Sequence, residues 1–369
     1  MSMERFPKVL ILSAGYGDGH HAAARGLVEA FQGKAETRMV DLCAEAMPKT
    51  FKYTRMGYLW VISRMPGIWK MMYDASDRID MSEKPIKGLG PVEDLLETIL
   101  DDWKPDLIIS TYMLYPYMLD QLSVKRGYCI PYITVVTDSI VINKSWTCSQ
   151  SPLWAVADQW TKQVMIDKGV PAERIAVTGF PVPPYLAKLR QENPKQWKDG
   201  EDFEVLYFAQ RSPQLAKQEI IQILEAHPNV KVTCILGRKF RNIYPSILAL
   251  KKQYQGRLII RGWTRQVPKY LAKAHLVVGK AGGATTHEVL AVGRPLLVNF
   301  LLPGQEEGNL QLLEHFGGGL HVPTPEQLGH TISDLLKENG KAWKKMYQAI
   351  LNANMTGGGE KIVDLALKH

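Results

Sequence analysis

Two clusters of side chains in this sequence have the types and spacing that chemistry requires. The first is Ser13-Ala14-Gly15-Tyr16-Gly17-Asp18-Gly19-His20-His21, which follows an apolar run and opens a helical pattern. Glycines at such a place let the backbone turn sharply and approach a ligand, and a helix start offers free N–H groups and a positive dipole end to an anion. His20 stands at the mouth of the turn, where a neutral imidazole can take a proton from a hydroxyl nucleophile at physiological pH. The same residues also suit an ordinary Gly-rich βα turn with two polar caps. A dinucleotide fingerprint is a poor match because the third glycine is displaced, and a Walker A loop is excluded because no Gly-Lys-Ser/Thr follows.

The second cluster begins with the strand Leu276 to Gly279 and the turn Lys280-Ala281-Gly282-Gly283-Ala284-Thr285-Thr286-His287-Glu288, after which Val289, Leu290 and Val292 mark a helix. Small residues at Gly282, Gly283 and Ala284 bare the helix-terminal amides for a diphosphate, and the hydroxyl of Thr285 adds a donor. Glu288, one turn further on, is placed to accept hydrogen bonds from a ribose diol. After the strand Pro295 to Phe300 comes Leu302-Pro303-Gly304-Gln305-Glu306-Glu307-Gly308-Asn309. Gln305, Glu306 and Asn309 offer the mixed donors and acceptors that sugar hydroxyls need, on a loop at the carboxyl end of a strand where open α/β sheets bind ligands.

The elements that must position these residues show one pattern twice: short apolar runs, turn signals, then helical periodicity. That is the sequence form of a parallel sheet with crossover helices, an α/β fold. Val9 to Ser13, Asp106 to Thr111 and Ile133 to Thr137 are strands of the first stretch. Glu204 to Phe208, Lys231 to Leu236 and Leu258 to Ile260 join Leu276 to Gly279 and Pro295 to Phe300 in the second. The length of 369 residues fits two domains, and a hydrophobic content of 46% fills two cores. The polar segment Leu189 to Asp202 is the natural linker. Cys43, Cys129, Cys148 and Cys234 have neither zinc nor redox spacing and read as buried thiols in a reducing compartment. The apolar stretch Val9 to Ala14 is too short for a signal peptide or a span, so the chain is expected in the cytosol. A net charge of +8 favours anionic partners without choosing among nucleic acid, acidic lipid and a nucleotide sugar. Its positive charges are dispersed and no nucleic-acid module signature is present, which argues against nucleic acid.

On these motifs the chain resembles the monogalactosyldiacylglycerol synthase and processive diacylglycerol glucosyltransferase family, related to the bacterial transferase that adds N-acetylglucosamine to the peptidoglycan lipid intermediate. The similarity rests on Gly19-His20, Pro105-Asp106-Leu107-Ile108-Ile109-Ser110, and Val136-Thr137-Asp138 with Trp146. It continues through Gly179-Phe180-Pro181-Val182, Gly262-Trp263, Gly279-Lys280-Ala281-Gly282 and the most specific block, Pro303 to Asn309. The resemblance implies a GT-B fold, two Rossmann-like domains facing each other across a cleft. Residues 1–188 would be the acceptor and membrane-binding domain, 189–203 the linker, 204–340 the UDP-sugar-binding domain, and 341–369 helices packing back toward the first domain. It implies His20 as general base or acceptor-site residue, Asp138 near the reacting centre, and Trp146 on the acceptor side. It puts Gly282, Gly283, Ala284 and Thr285 on the diphosphate, Glu288 on the ribose, and Gln305 and Glu306 on the donor sugar.

The implied chemistry is displacement at the anomeric carbon with inversion, no cofactor beyond the UDP-sugar donor, and diacylglycerol or a related lipid as acceptor. Either His20 or Asp138 can deprotonate the nucleophile, while the amides near Gly282, with Lys280 or Arg238, can steady the departing diphosphate. No DxD-like pair stands at a strand end to hold a metal; Asp101-Asp102 falls in a helical pattern. Two departures from the family pattern stand out: Asn143 where members often carry histidine, and Ala209-Gln210-Arg211-Ser212-Pro213 in place of a Gly-rich turn. Arg211 and Ser212 there suit either phosphate binding or a solvated turn.

The stretch Phe51 to Arg78 carries Tyr58, Trp60, Trp69 and Tyr73 with several methionines, edged by lysines and arginines and interrupted by Pro66-Gly67. That mixture suits a segment lying on an anionic membrane surface, which implies a peripheral protein on the cytoplasmic face; it also suits two core helices with snorkelling cations. Two other functions share the donor half: a GT-B enzyme on a non-lipid substrate, such as a nucleotide-sugar epimerase or a soluble-aglycone transferase, and a non-catalytic nucleotide-sugar sensor.

Overall fold

A computed structural model of the protein describes residues 5–77, 88–237, 240–304 and 306–368. The chain forms two compact units: Met1–Pro184 with Pro303–Gly308 and Thr356–His369, and Tyr185–Leu302 with Asn309–Met355. The first runs β1 (Lys8–Ser13), α1 (Asp18–Ala30), β2 (Glu36–Asp41), α2 (Leu42–Ala46), α3 (Pro48–Arg64), α4 (Pro66–Ser76), α5 (Gly90–Trp103), β3 (Leu107–Ser110), α6 (Leu114–Arg126), β4 (Tyr132–Val135), β5 (Leu153–Val156), α7 (Gln159–Asp167) and β6 (Ile175–Val177). The chain goes on through α8 (Tyr185–Glu192), β7 (Phe203–Phe208), α9 (Pro213–Glu225), β8 (Val230–Ile235), α10 (Phe240–Gln253), β9 (Leu258–Arg261), α11 (Val267–Lys273), β10 (Leu276–Lys280), α12 (Gly283–Val292), β11 (Leu296–Phe300), α13 (Glu307–His315), β12 (Gly319–His321) and α14 (Pro325–Ala353). The last helix, α15 (Gly358–Ala366), belongs to the first unit.

Among the described residues each unit has one six-stranded sheet, ordered β2-β1-β3-β4-β5-β6 in the first and β12-β11-β10-β7-β8-β9 in the second. Every pairing is parallel. The central strands are apolar runs buried on both faces, as β3 and β4 are at each of their residues, because helices cover both sides of such a sheet. All eight strands read from the sequence are present within a residue or two. The strands not read there, β2, β5, β6 and β12, are mostly edge strands; β2 alternates exposed and half-buried residues before Val40, and β6 and β12 have three residues each.

Strand order reverses between β1 and β3 in the first unit and between β7 and β10 in the second. At such a switch point the two neighbouring loops leave the sheet in opposite directions and open a crevice at the carboxyl ends of the strands. The Gly-rich turn after β1 and the glycine turn after β10 both stand at these points.

The stretch 189–203, read as linker, contains the end of α8 and Trp197, whose side chain is wholly buried in the second core against Phe203. Gly340, at positive φ, interrupts α14 and makes room for the Trp197 ring, which would lie 2.8 Å from a Cβ there. Of the cysteines, three are buried as free thiols, but Cys129 is exposed because it follows α6 on the surface.

In the first unit, Phe180 and Pro181 pass between α1 and α15 at backbone distance. A Cβ on Gly26 would lie 1.8 Å from the Pro181 carbonyl oxygen, and one on Gly358 would lie 2.2 Å from that of Phe180. Gly26→Ala is therefore expected to lower stability by about 2–3 kcal/mol through overpacking against backbone, read as a lower urea midpoint at unchanged m-value. A wild-type midpoint would show that α1 can shift freely.

Candidate functional site

In the first unit the turn after β1 is fixed from beneath. The Gly15 amide donates to Asp41 Oδ2 at 2.8 Å, Arg55 Nε donates to the Gly15 carbonyl at 2.6 Å, and His21 spans Ser13 Oγ at 2.9 Å and Asp41 at 3.3 Å. A Cβ at Gly15 would lie 2.8 Å from His21 Nε2 and 3.0 Å from Asp41, so a larger residue there would displace the side chains that hold the turn. Gly17 and Gly19 face open space, where a Cβ would meet nothing within 4 Å. His21 thus holds the turn, and the open side belongs to its neighbour.

His20, in the first turn of α1, is 6% exposed. Its Nδ1 lies 2.8 Å from the Thr111 carbonyl oxygen and 2.9 Å from Thr137 Oγ1. A carbonyl can only accept, so Nδ1 carries the proton and Nε2 keeps the basic lone pair. Burial pushes the imidazole down to about 4, against the raising effect of the Thr111 bond, so the ring is neutral near pH 7. Thr111 follows β3 directly and Thr137 comes two residues after β4, and neither threonine has a local sequence signal for this role.

Asp138 follows Thr137 and is also buried; its Oδ2 accepts from the Trp146 indole N–H at 2.8 Å. Burial raises this carboxyl to about 6, with the indole bond pulling the other way. The Trp146 ring lies 6.1 Å from that of His20, so one indole packs against the imidazole and binds the carboxylate. Trp146, read on the acceptor side, is 1% exposed and offers no outer surface.

The Asn143 departure has a structural use. Its Oδ1 caps the short 3-10 turn Lys144–Trp146 by accepting from the Ser145 amide at 3.0 Å, while its Nδ2 donates to Ser76 Oγ at 3.0 Å and the Tyr73 carbonyl at 3.4 Å. Asp77 accepts from the Lys144 amide and pairs with Lys168. The end of α4 is thereby latched to the turn that carries Trp146.

Helices α3 and α4 turn part of their aromatic surface outward. Tyr53, Trp60, Met71 and Met72 are more than half exposed, and Met65 and Ile68 are exposed as well. Trp69 and Tyr73 are half-buried, with rings 6.2 Å apart and Trp69 edge-on to Tyr58 at 5.1 Å. Arg78, at the end of the sequence stretch, lies outside the described residues.

The segment Pro303–Gly308 packs within the first unit, held close by two glycines. A Cβ on Gly304, at φ +85, would lie 2.8 Å from the Tyr73 ring, and one on Gly308 would lie 1.7 Å from the Ser139 carbonyl oxygen. Glu306 is buried here, while Gln305 lies outside the described residues.

In the second unit Gly282 is the N-cap of α12, with no side-chain cap, and Gly283, Ala284 and Thr285 form the first turn at partial exposure. Uncapped amides with a helix dipole behind them make an anion site. Glu288 follows one turn on, also partly exposed. Asn309 is buried and donates from Nδ2 to the Ala281 carbonyl at 2.9 Å, which steadies the glycine turn. Lys280 ends β10 at a register shift, and Arg238 lies outside the described residues.

The second departure also resolves into structure. Arg211 donates to buried Glu219 at 3.0 Å and to the carbonyls of Asn299 and Pro323 at 3.2 and 2.7 Å; Tyr207 O–H donates to the other Glu219 oxygen. Ser212 caps α9 through the Leu215 amide. A buried carboxylate demands such a partner, so the Arg211 guanidinium is committed to Glu219. Asp101, in the last turn of α5, pairs with Arg126.

The chain is similar to known proteins over most of its length. Residues 20–182 match the family described as Monogalactosyldiacylglycerol (MGDG) synthase, and residues 202–357 match the Glycosyltransferase family 28 C-terminal domain. A Bacillus cereus protein named processive diacylglycerol beta-glucosyltransferase is 25% identical, over 99% of this chain and 94% of that one. Among solved structures, Acinetobacter baumannii MurG superposes with a TM-score of 0.64 at 15% identity, over 98% of this chain and 100% of that one. The UDP-GlcNAc 2-epimerase of Neisseria meningitidis gives 0.60 at 14%, with the same coverage. These likenesses to solved structures establish the GT-B fold.

Asp138 supplies a test that needs no substrate. Its folded pKa is raised to about 6 from 3.8, so its protonation favours the fold at low pH, and that contribution is lost as pH rises through 6. Asp138→Asn, which keeps an acceptor for Trp146, is expected to melt several degrees above wild type at pH 8, with the difference shrinking from pH 6 to 4. An equal melting temperature at pH 8 would mean that the carboxylate is ionised without cost.

Proposed function

We propose that this chain, whose two halves match the monogalactosyldiacylglycerol synthase and glycosyltransferase family 28 C-terminal models, transfers a hexose from a UDP-sugar to the hydroxyl of a membrane lipid, diacylglycerol foremost, giving a β-glycoside. The observation that carries the reading is the His20 imidazole: neutral through burial, with Nδ1 held by the Thr111 carbonyl and Nε2 left as the base. In the proposed step the lipid oxygen forms a bond to the anomeric carbon and gives its proton to Nε2. The bond from that carbon to the diphosphate breaks on the opposite side and UDP departs, which inverts the centre. An ionised Asp138 favours the imidazolium that forms, and the first-turn amides of α12 take the charge developing on the diphosphate. Glu288 would accept from the ribose, and Gln305 and Glu306 would serve the donor sugar.

The exposed Trp60, Met71 and Met72, beside exposed Lys52 and Lys70, support peripheral attachment of α3 and α4 to an anionic bilayer. No described helix is long and apolar enough to cross a membrane.

Incubation with a panel of UDP-sugars and vesicles containing diacylglycerol, read by mass, is expected to give a β-hexosyl lipid. Free UDP without glycolipid, or an epimerised UDP-sugar, would sink the reading. His20→Ala is expected to lower kcat at least 100-fold with donor binding retained. In wild type the acid limb of kcat/KM should fall near pH 6, where Asp138 takes its proton, and not near 4, where His20 does. Trp60→Ala with Met71→Ser and Met72→Ser should weaken sedimentation with anionic vesicles about 10-fold or more; unchanged sedimentation of the folded variant refutes the membrane assignment.

A further inference from the structure

Trp69 and Tyr73 lie one turn apart on α4, and each ends in a buried hydrogen-bond donor, an indole N–H and a phenol O–H, with no acceptor among the described residues. Leaving such a group unsatisfied is destabilising, and buried polar groups are nearly always paired. Two orphans of one kind, both donors, on one helix face point to an acceptor brought by a ligand.

Their surroundings say which ligand. From His20, ring contacts run to Tyr112 at 5.1 Å, on to Tyr16 at 6.2 Å and Tyr58 at 6.1 Å, then through Trp69 at 5.1 Å to Tyr73 at 6.2 Å. The circuit closes through Asp138, whose charge acts on the Tyr73 phenol, and Trp146, which joins that carboxylate to His20. The two donors therefore share one continuous set of side chains with the proposed base. Opposite that face the same helix exposes Met71, and Met72 is exposed at its flank. Apolar surface outside, donors within and a base beyond match a molecule with apolar tails, an acceptor-only neck and a terminal hydroxyl.

We propose that Trp69 Nε1–H and Tyr73 O–H form an acceptor-recognition pair that receives the ester carbonyl oxygens of a diacylglycerol whose free hydroxyl lies toward His20. The inference rests on the lipid-transferase reading for its acceptor class. Burial, then the charges of Asp138, Asp77, Glu307 and Asp74, hold the Tyr73 phenol far above its ordinary range, so it stays a donor at every physiological pH. Ester carbonyls accept and cannot donate, which is what two fixed donors select.

The test is calorimetric binding of dioctanoylglycerol, without donor, to wild type, Trp69→Phe and Tyr73→Phe, each variant keeping an aromatic ring. Each is expected to bind roughly 3- to 10-fold more weakly, with unchanged sedimentation on vesicles and unchanged affinity for UDP. Dioctylglycerol, the ether analogue without carbonyls, should bind wild type more weakly than the ester does, and that gap should narrow in both variants. Melting temperatures should equal or exceed wild type, since each variant loses an unsatisfied donor. Unchanged ester affinity, an ether gap equal in all three proteins, or loss of vesicle sedimentation in parallel would overturn the proposal. Intact ester binding in wild type without sugar transfer would instead count against the transferase reading alone.

Discussion

One hydrogen bond, from His20 Nδ1 to the Thr111 carbonyl, sets the terms for the first unit's chemistry. It decides the tautomer, and so which ring nitrogen can act as a base, and it does so through backbone that cannot itself change charge. Thr111 is in turn held by the sheet: its amide donates to the Leu12 carbonyl at 2.9 Å and its hydroxyl reaches the His20 carbonyl at 3.1 Å. The geometry of the imidazole is thus inherited from the parallel pairing of β1 with β3, Leu12 opposite Ser110, at the point where strand order reverses. A base built on a strand end is as rigid as the sheet beneath it.

Around that bond the first unit collects groups that are uncomfortable in a protein interior: a buried neutral imidazole, a buried carboxyl and two buried donors without acceptors. The second unit treats its buried charge differently. Glu219 is answered by Arg211 and Tyr207, and the result is a closed, satisfied network. Glu219 is thus answered within the chain, whereas Trp69 and Tyr73 in the first unit keep buried donors that a substrate can use.

The apolar strands and both glycine turns were legible in the sequence because burial on two faces and helix starts leave local signatures. Strand β2 was not, since an edge strand reading Glu36 to Asp41 exposes charged side chains where a central strand would bury Val or Ile. Trp197 looked like part of a polar linker because its burial depends on Gly340, far along the chain. The uses of Asn143 and Arg211 were hidden for the same reason: their partners, Ser76 and Glu219, are found only when the chain is folded. Gly304 and Gly308 read as loop residues within a motif. The structure gives each a neighbour, the Tyr73 ring and the Ser139 carbonyl, that leaves no room for a Cβ.

Helix α15 has Ile362 and Val363 in the same core as Leu27 and Phe31, with the Phe180–Pro181 backbone passing alongside. The first unit to emerge from the ribosome therefore lacks one wall of its own interior until the final helix is made. The whole second unit, Tyr185–Leu302 and Asn309–Met355, is synthesised in between. During that interval Leu27, Phe31 and their neighbours are left open to solvent or to chaperones. Completion of the first unit is coupled in time to synthesis of the second, so a nascent chain stalled midway would present an apolar flank rather than a finished half-molecule.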